Sequence, residues 1–205
     1  MMHGLIIRSF EGFLRNTYGD EVWSDIVTAL DGGVEHFEPM FHYDDGLAQG
    51  LAEAAAQRLG KSRAEMFEDF GTYLVANPAT QRVRRLLRFG GADYEDFLGS
   101  LEDLAGRARL AVPDLKLPDL KLHDLGAGLF HLSIESAFSD AVFVYLGLLR
   151  ALADDYGALV LIDLADGSAA QGQVSIRLLK ADFAEGRDFA LADAVDESIV
   201  GQVQP

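Results

Sequence analysis

Two prolines, Pro113 and Pro118, divide this chain of 205 residues into two kinds of hydrophobic pattern. Before them apolar residues recur every three or four positions; after them alternating stretches appear around one long helical one. The four residues between, Asp114 to Leu117, cannot lie in regular helix, because each proline lacks an amide donor and crowds the preceding turn. A chain broken in this way places helices before the break and a sheet after it.

Six helices are read before the break. Ile6, Phe10, Phe13 and Leu14 mark the first, stopped at Tyr18-Gly19. Val22, Trp23, Ile26, Val27 and Leu30 mark a second, ended by Gly32-Gly33. Residues 34–45 read as a loop. Leu47, Leu51, Ala54, Ala55 and Leu59 mark a third helix, closed by Gly60. Ser62-Arg63-Ala64-Glu65 has the form of a capping box and opens a fourth through Met66, Phe67, Phe70 and Leu74. Asn77-Pro78 opens a shorter one, since proline suits the first helical position, and Gly90-Gly91 ends it. The sixth is predicted to run unbroken from Tyr94 to Leu110, burying Phe97, Leu101, Leu104, Ala105 and Ala108.

After the break, Leu115–Leu125 and Leu129–Ser133 alternate as a strand pair around the Gly126–Gly128 turn. Ser139 is expected to cap a long helix from Asp140 to Tyr156, ended by Gly157. Leu159–Leu164 reads as a strand, Asp166-Gly167 as a turn, Val174, Ile176 and Leu178 as another strand, and Phe189 with Leu191 as a last one. The expected organisation is one α+β domain over residues 1–193. A helical subdomain covers about 1–60, a mixed subdomain about 61–193, and 194–205 form a flexible tail.

Composition narrows the function. The chain has no cysteine, which removes disulfides, thiolate metal sites and a thiolate nucleophile. A net charge of −16 repels nucleic acid and anionic membranes and favours a basic partner surface. The apolar run Ala141–Leu149 is far below a membrane span. No basic stretch followed by an apolar one opens the chain, so a cytoplasmic protein is expected. Gly-x-Ser-x-Gly, the P-loop and a convincing Gly-x-Gly-x-x-Gly are all missing, and Ser136 beside Glu135 has no histidine placed to activate it. We therefore expect no enzyme.

The order of these pieces resembles the heme–nitric oxide/oxygen-binding (H-NOX) family from about Met2 to Ala192. The resemblance rests on Met2-His3-Gly4-Leu5-Ile6-Ile7 with Tyr18-Gly19-Asp20-Glu21-Val22-Trp23, on Tyr43-Asp44 before the third helix, and on Leu59-Gly60-Lys61-Ser62 followed by Phe70-Gly71. It continues through Leu86-Leu87-Arg88, Phe97-Leu98-Gly99-Ser100-Leu101-Glu102-Asp103-Leu104, and Gly147-Leu148-Leu149 with Tyr156-Gly157. It implies the H-NOX fold and a sensor module with heme between two subdomains. In that family a histidine of the sixth helix binds the iron and a Tyr-x-Ser-x-Arg motif grips the propionates. The partner it implies is a histidine kinase or a cyclic-di-nucleotide enzyme.

Two parts of that site depart from the pattern. The register set by Leu101 to Leu104, then Arg107, Arg109, Leu110 and Pro113, puts Ala105 at the iron-facing position. Counting back from Gly147 puts Ile134, Ser136 and Phe138 on the propionate motif, so only the serine remains. A methyl group cannot coordinate iron, and neither isoleucine nor phenylalanine can grip a carboxylate as arginine does. From Phe97 to Leu110 there is no His, Met, Lys or Cys; Tyr94 is the sole donor on that helix.

The expected lining is Ile6, Phe10, Met66, Phe70, Leu74, Leu101, Ala105, Pro118, Ile134, Phe138 and Val144. Pro118 stands where the family has a proline that presses on the heme, though a plain loop break also accounts for it. Val144 carries no hydroxyl for a bound oxygen molecule. Three readings follow: a heme-free sensor that binds another apolar ligand or acts through protein contacts; a heme sensor whose iron is held by His131 or His3; and a scaffold with a collapsed pocket. His36 and His42 with Glu38, Asp44 and Asp45 resemble a metal cluster superficially, but their spacing matches no standard site. His123 falls on a strand flank with no inferred role.

Overall fold

The computed structural model describes residues 1–30, 36–138, 140–165 and 172–190. A two-residue strand, β1 (Met2–His3), leads directly into α1 (Gly4–Tyr18), whose first turn is capped by His3 Nδ1 accepting from the Leu5 amide at 3.1 Å. Helix α2 (Asp20–Thr28) follows, with Asp20 and Glu21 in the first turn, where exposed amides favour negative charge. A second short strand, β2 (His42–Tyr43), lies within the segment read as loop and pairs antiparallel with β1. Helix α3 (Asp45–Leu59) is capped by Asp44 and closed by Gly60 in the left-handed conformation. Helix α4 (Arg63–Ala76) opens with both halves of the Ser62/Glu65 capping box in place.

The predicted fifth helix divides into a 3-10 turn, Pro78–Thr80, and α5 (Gln81–Arg88). The predicted sixth helix is not continuous. It becomes α6 (Tyr94–Gly99), a 3-10 turn over Leu101–Asp103, and α7 (Leu104–Ala111). The interruption has a local cause. Ser100 Oγ donates to the Phe97 carbonyl at 2.8 Å, bonding back into the preceding turn, and the Glu102 carboxylate accepts from the Leu122 amide of the following strand at 2.8 Å.

Strand β3 (Asp119–Asp124) begins after Pro118, four residues later than expected; Pro118 has no amide for a ladder, and the Leu115 amide is bonded to the Val112 carbonyl. It pairs with β4 (Leu129–Glu135); helix α8 (Ala141–Tyr156) follows, preceded by Asp140. Strands β5 (Leu159–Leu164) and β6 (Gln173–Lys180) complete an antiparallel sheet of order β3-β4-β6-β5. Residues 181–190 form no strand, so the expected last strand at Phe189 is absent. Backbone and ring there are taken up by arginines instead: Arg84 donates to the Asp188 carbonyl at 2.9 Å, and the Arg84 and Arg88 guanidinium groups lie over the Phe189 ring. The expected Ser139 cap, the Gly32-Gly33 and Asp166-Gly167 turns, Leu191 and the tail lie outside the described residues.

Two hydrophobic cores result. One is helical, built on Phe13, Trp23, Ile26, Leu51, Met66 and Phe67. The other packs α8 and α6 against the inward face of the sheet, where Phe130, Leu132, Ile134, Val174 and Ile176 alternate with outward residues. Helix α4 belongs to both: Met66 through Tyr73 enter the first core and Val75 the second. It crosses α8 with the two backbones in contact. A Cβ on Gly71 would stand 2.0 Å from the Val144 carbonyl oxygen, and one on Gly147 1.9 Å from that of Glu68.

Candidate functional site

Ala105, expected from the resemblance at the iron-facing position, lies at the start of α7, just past the 3-10 turn. Leu101 and Leu104 are buried in the sheet-side core, while Ala105 is half-buried and sits one residue off that stripe. The expectation that Ala105 joins the buried stripe is therefore corrected; the 3-10 turn resets the helical phase before it. Tyr94 is fully buried and its hydroxyl donates to the Leu149 carbonyl at 3.1 Å, and burial pushes its pKa upward. Its one donor is committed to α8.

The three residues expected at the propionate motif lie at and just past the end of β4. Ile134 is 4% exposed and faces the sheet core. Ser136 is exposed, and its Oγ accepts from the Phe138 amide at 3.1 Å, closing a tight turn. That turn carries Phe138 into the junction between the two cores, where it packs against both. Its ring meets Phe67 edge-on, centroids 5.1 Å apart at 81°. Phe67 in turn stacks on Phe10 at 5.5 Å and carries the Arg63 guanidinium over its ring. Arg63 Nε also donates to Asp140 at 3.1 Å, tying α4 to the start of α8.

The remaining lining residues divide between the cores. Phe10, Met66 and Phe70 are buried in the helical core, with Leu74 and Val144 half-buried against it. Leu101 and Ile134 belong to the other core. Pro118 is half-buried, and Ile6 is half-buried while its neighbour Ile7 takes the core position. Two surface depressions lie away from these residues. One of about 510 Å³ runs between α2 and α3 along Ile26, Leu30 and Ala54; another of about 350 Å³ follows β5 beside Arg150.

Both candidate replacement ligands are accounted for. His131 pairs with His123 and Ser175 on the sheet face opposite Phe130, Leu132 and Ile134, so it does not point inward. His3 is 3% exposed and occupies the cap of α1, beside the His42 ring at 5.0 Å. Its Nε2 lies 3.4 Å from Asp114 Oδ1 without a hydrogen bond. Of the superficially metal-like His36, His42, Glu38, Asp44 and Asp45, His42 alone joins a ligand-like group among the described residues, with His3 and Asp114. Sequence reasoning missed the bridging roles of Phe67 and Phe143, and it missed Asp114 altogether. Phe67 was visible as a neighbour of the Phe70 stripe, but nothing local marks Asp114.

No helix among the described residues is long and apolar enough to cross a membrane. The Haem-NO-binding family model matches residues 3–163. Curated relatives include a soluble guanylate cyclase of Caenorhabditis elegans, gcy-31, at 26% identity over 56% of this chain. Another from that organism, gcy-35, is 30% identical over 50%. These stretches are 16% and 15% of the two relatives, so the chain corresponds to a small part of their length. Among solved structures, an H-NOX protein from S. oneidensis in the Fe(II)NO ligation state superposes with a TM-score of 0.73 at 18% identity, covering 87% of this chain and all of that one. The Fe(II) unliganded H-NOX protein from K. algicida gives 0.73 at 18% identity, over 92% of this chain and all of that one. The helical half, the antiparallel sheet and the long helix between its strands thus follow the α+β H-NOX fold, and with the family match running from His3 to Asp163 this chain belongs to the haem-NO-binding, or H-NOX, family of sensor domains.

Proposed function

We propose that this is a heme-free H-NOX-like sensor or regulatory domain that signals through protein contacts. The observation that carries this reading is Phe138. By the register counted from Gly147 it falls where the family's arginine is expected, and its ring packs against both cores and edge-on to Phe67. The donor set supports it further: Ala105 offers a methyl group, Tyr94 is bonded to Leu149, and His131 faces outward. These residues do not fit heme. The aromatic packing of Phe138 and Phe67 at the junction favours contact signalling over an apolar ligand there.

The chain is read as one domain of two halves, with a change of packing between them as the signal. Helix α4, shared by both cores and locked against α8, is the element such a change would move. The partner we propose is a signalling enzyme, a histidine kinase or a cyclic-nucleotide or cyclic-di-nucleotide enzyme. The guanylate cyclase relatives support that class, and the charge of −16 favours a basic docking surface on the partner. We expect no catalytic step in this domain and a cytoplasmic setting.

A hemin titration followed in the Soret region tests the proposal. The expected result is a broad band that grows without saturating at one equivalent. A sharp, saturable 1:1 band would overturn the heme-free reading, and its loss in His131→Ala or His3→Ala would identify the ligand.

A further inference from the structure

We propose that His3, His42 and Asp114 form a binding site for a divalent transition-metal ion of the zinc class, independent of any heme chemistry. The site is assembled from three parts of the chain. His3 and His42 are direct cross-strand partners in the β1–β2 pair, with their rings 5.0 Å apart. Asp114 arrives from the Pro113–Pro118 break, placing Oδ1 3.4 Å from His3 Nε2 and Oδ2 3.8 Å from His42 Nε2. One ligand atom from each residue lies within 4.8 Å of the others. Tetrahedral zinc, with bonds of about 2.0–2.1 Å, separates its ligand atoms by roughly 3.4 Å. The His3–Asp114 spacing already meets that value, and side-chain adjustment of His42, one-third exposed, would close the rest.

The second observation is His3 Nε2 itself. The ring is buried, yet this nitrogen makes no hydrogen bond while it faces the other two groups. Buried polar atoms without partners are rare and call for a reason. The other such atoms among the described residues, Arg88 Nε and Arg107 Nε, belong to guanidinium groups, which have no lone pair to offer a metal. Two imidazoles and a carboxylate, with a fourth position left to water, form a ligand set suited to zinc and neighbouring first-row ions. The acidic chain as a whole attracts cations.

Metal binding here has a structural consequence. A neutral imidazole carries one proton, and with Nδ1 accepting from Leu5 that proton sits on Nε2. Ligation through Nε2 displaces that proton to Nδ1, which then no longer accepts from the Leu5 amide. The ion would therefore exchange the cap of α1 for a tie between α1 and the segment leading into β3. That segment joins the helical half to the sheet half, so occupancy bears on their relative packing.

The test is calorimetric titration of the full chain with Zn²⁺, repeated with Co²⁺ for its visible d–d bands, and an amide spectrum that follows Leu5. Variants His42→Ala and Asp114→Asn change partly exposed side chains and should leave the helical circular dichroism intact. His36→Ala and His123→Ala serve as controls. We expect one equivalent to bind, with the Leu5 amide resonance shifting on addition. Affinity should fall at least about tenfold in each of the two variants, since even outer-shell partners of metal ligands carry ten- to hundredfold effects. The proposal is overturned if no Zn²⁺ binds, if neither variant weakens binding, or if the loss follows His123→Ala or His36→Ala.

Discussion

At the residue scale, the account depends on what three apolar side chains do in place of polar ones. The sequence suggests Ala105, Ile134 and Phe138 through a register counted from Leu101 to Leu104 and from Gly147. What Phe138 does instead was not legible. Its contact with Phe67 joins residues far apart in the chain, and only the turn closed by Ser136 brings the rings together. The same holds for Asp114, which no local spacing links to His3 and His42. The buried tyrosines give a prediction of their own. Burial raises Tyr94 and Tyr145, and it pushes Tyr156 up to about 12 against the opposing Arg88 charge, from an ordinary value of 10.0. Above pH 10 the unfolded chain therefore loses these protons before the folded one, and stability falls as pH rises. We expect stability to be level with respect to these groups below pH 10 and to decline above it. Tyrosinate absorbance from Tyr94 and Tyr145 should appear together with unfolding; its appearance in the fully folded protein near pH 10 would contradict the burial argument.

At the element scale, most helices and strands were legible because their ends carry explicit chemistry. The Ser62 capping box, the glycine stops at Gly60 and Gly157 and the alternation in β4 and β6 all appear in the structure. The misses share one cause, competition from contacts outside the element. Ser100 and Glu102 divide the sixth helix through bonds that periodicity does not report. Strand β2 is two residues long and exists because β1 lies beside it. Residues 187–189 follow Arg84, Arg88 and Asp155 rather than the sheet. The α4–α8 crossing gives the element-scale prediction. Gly71→Ala places a methyl group against backbone, which cannot yield as a flexible side chain would. Overpacking of this kind costs about 1–3 kcal/mol, and we expect a loss at or above the upper end in urea denaturation. A neutral result would mean the helices are not in backbone contact.

At the scale of the molecule, two cores share α4 and meet at a junction filled by Phe138, Phe143 and Phe67. The fold class and the order of elements were readable from the sequence because the Pro113–Pro118 break separates two hydrophobic periods. The state of the junction was not, since it depends on which side chains from opposite halves meet. The central proposal is that this chain, although a member of the haem-NO-binding family, does not hold heme. The most direct measurement is the visible spectrum of the protein isolated from heme-replete cells, beside Ala105→His and the triple variant Ala105→His, Ile134→Tyr, Phe138→Arg. The account predicts a colourless wild type, weak and substoichiometric colour in the single variant, and a distinct Soret band only when all three positions are restored. A stoichiometric Soret band in the wild type would contradict it.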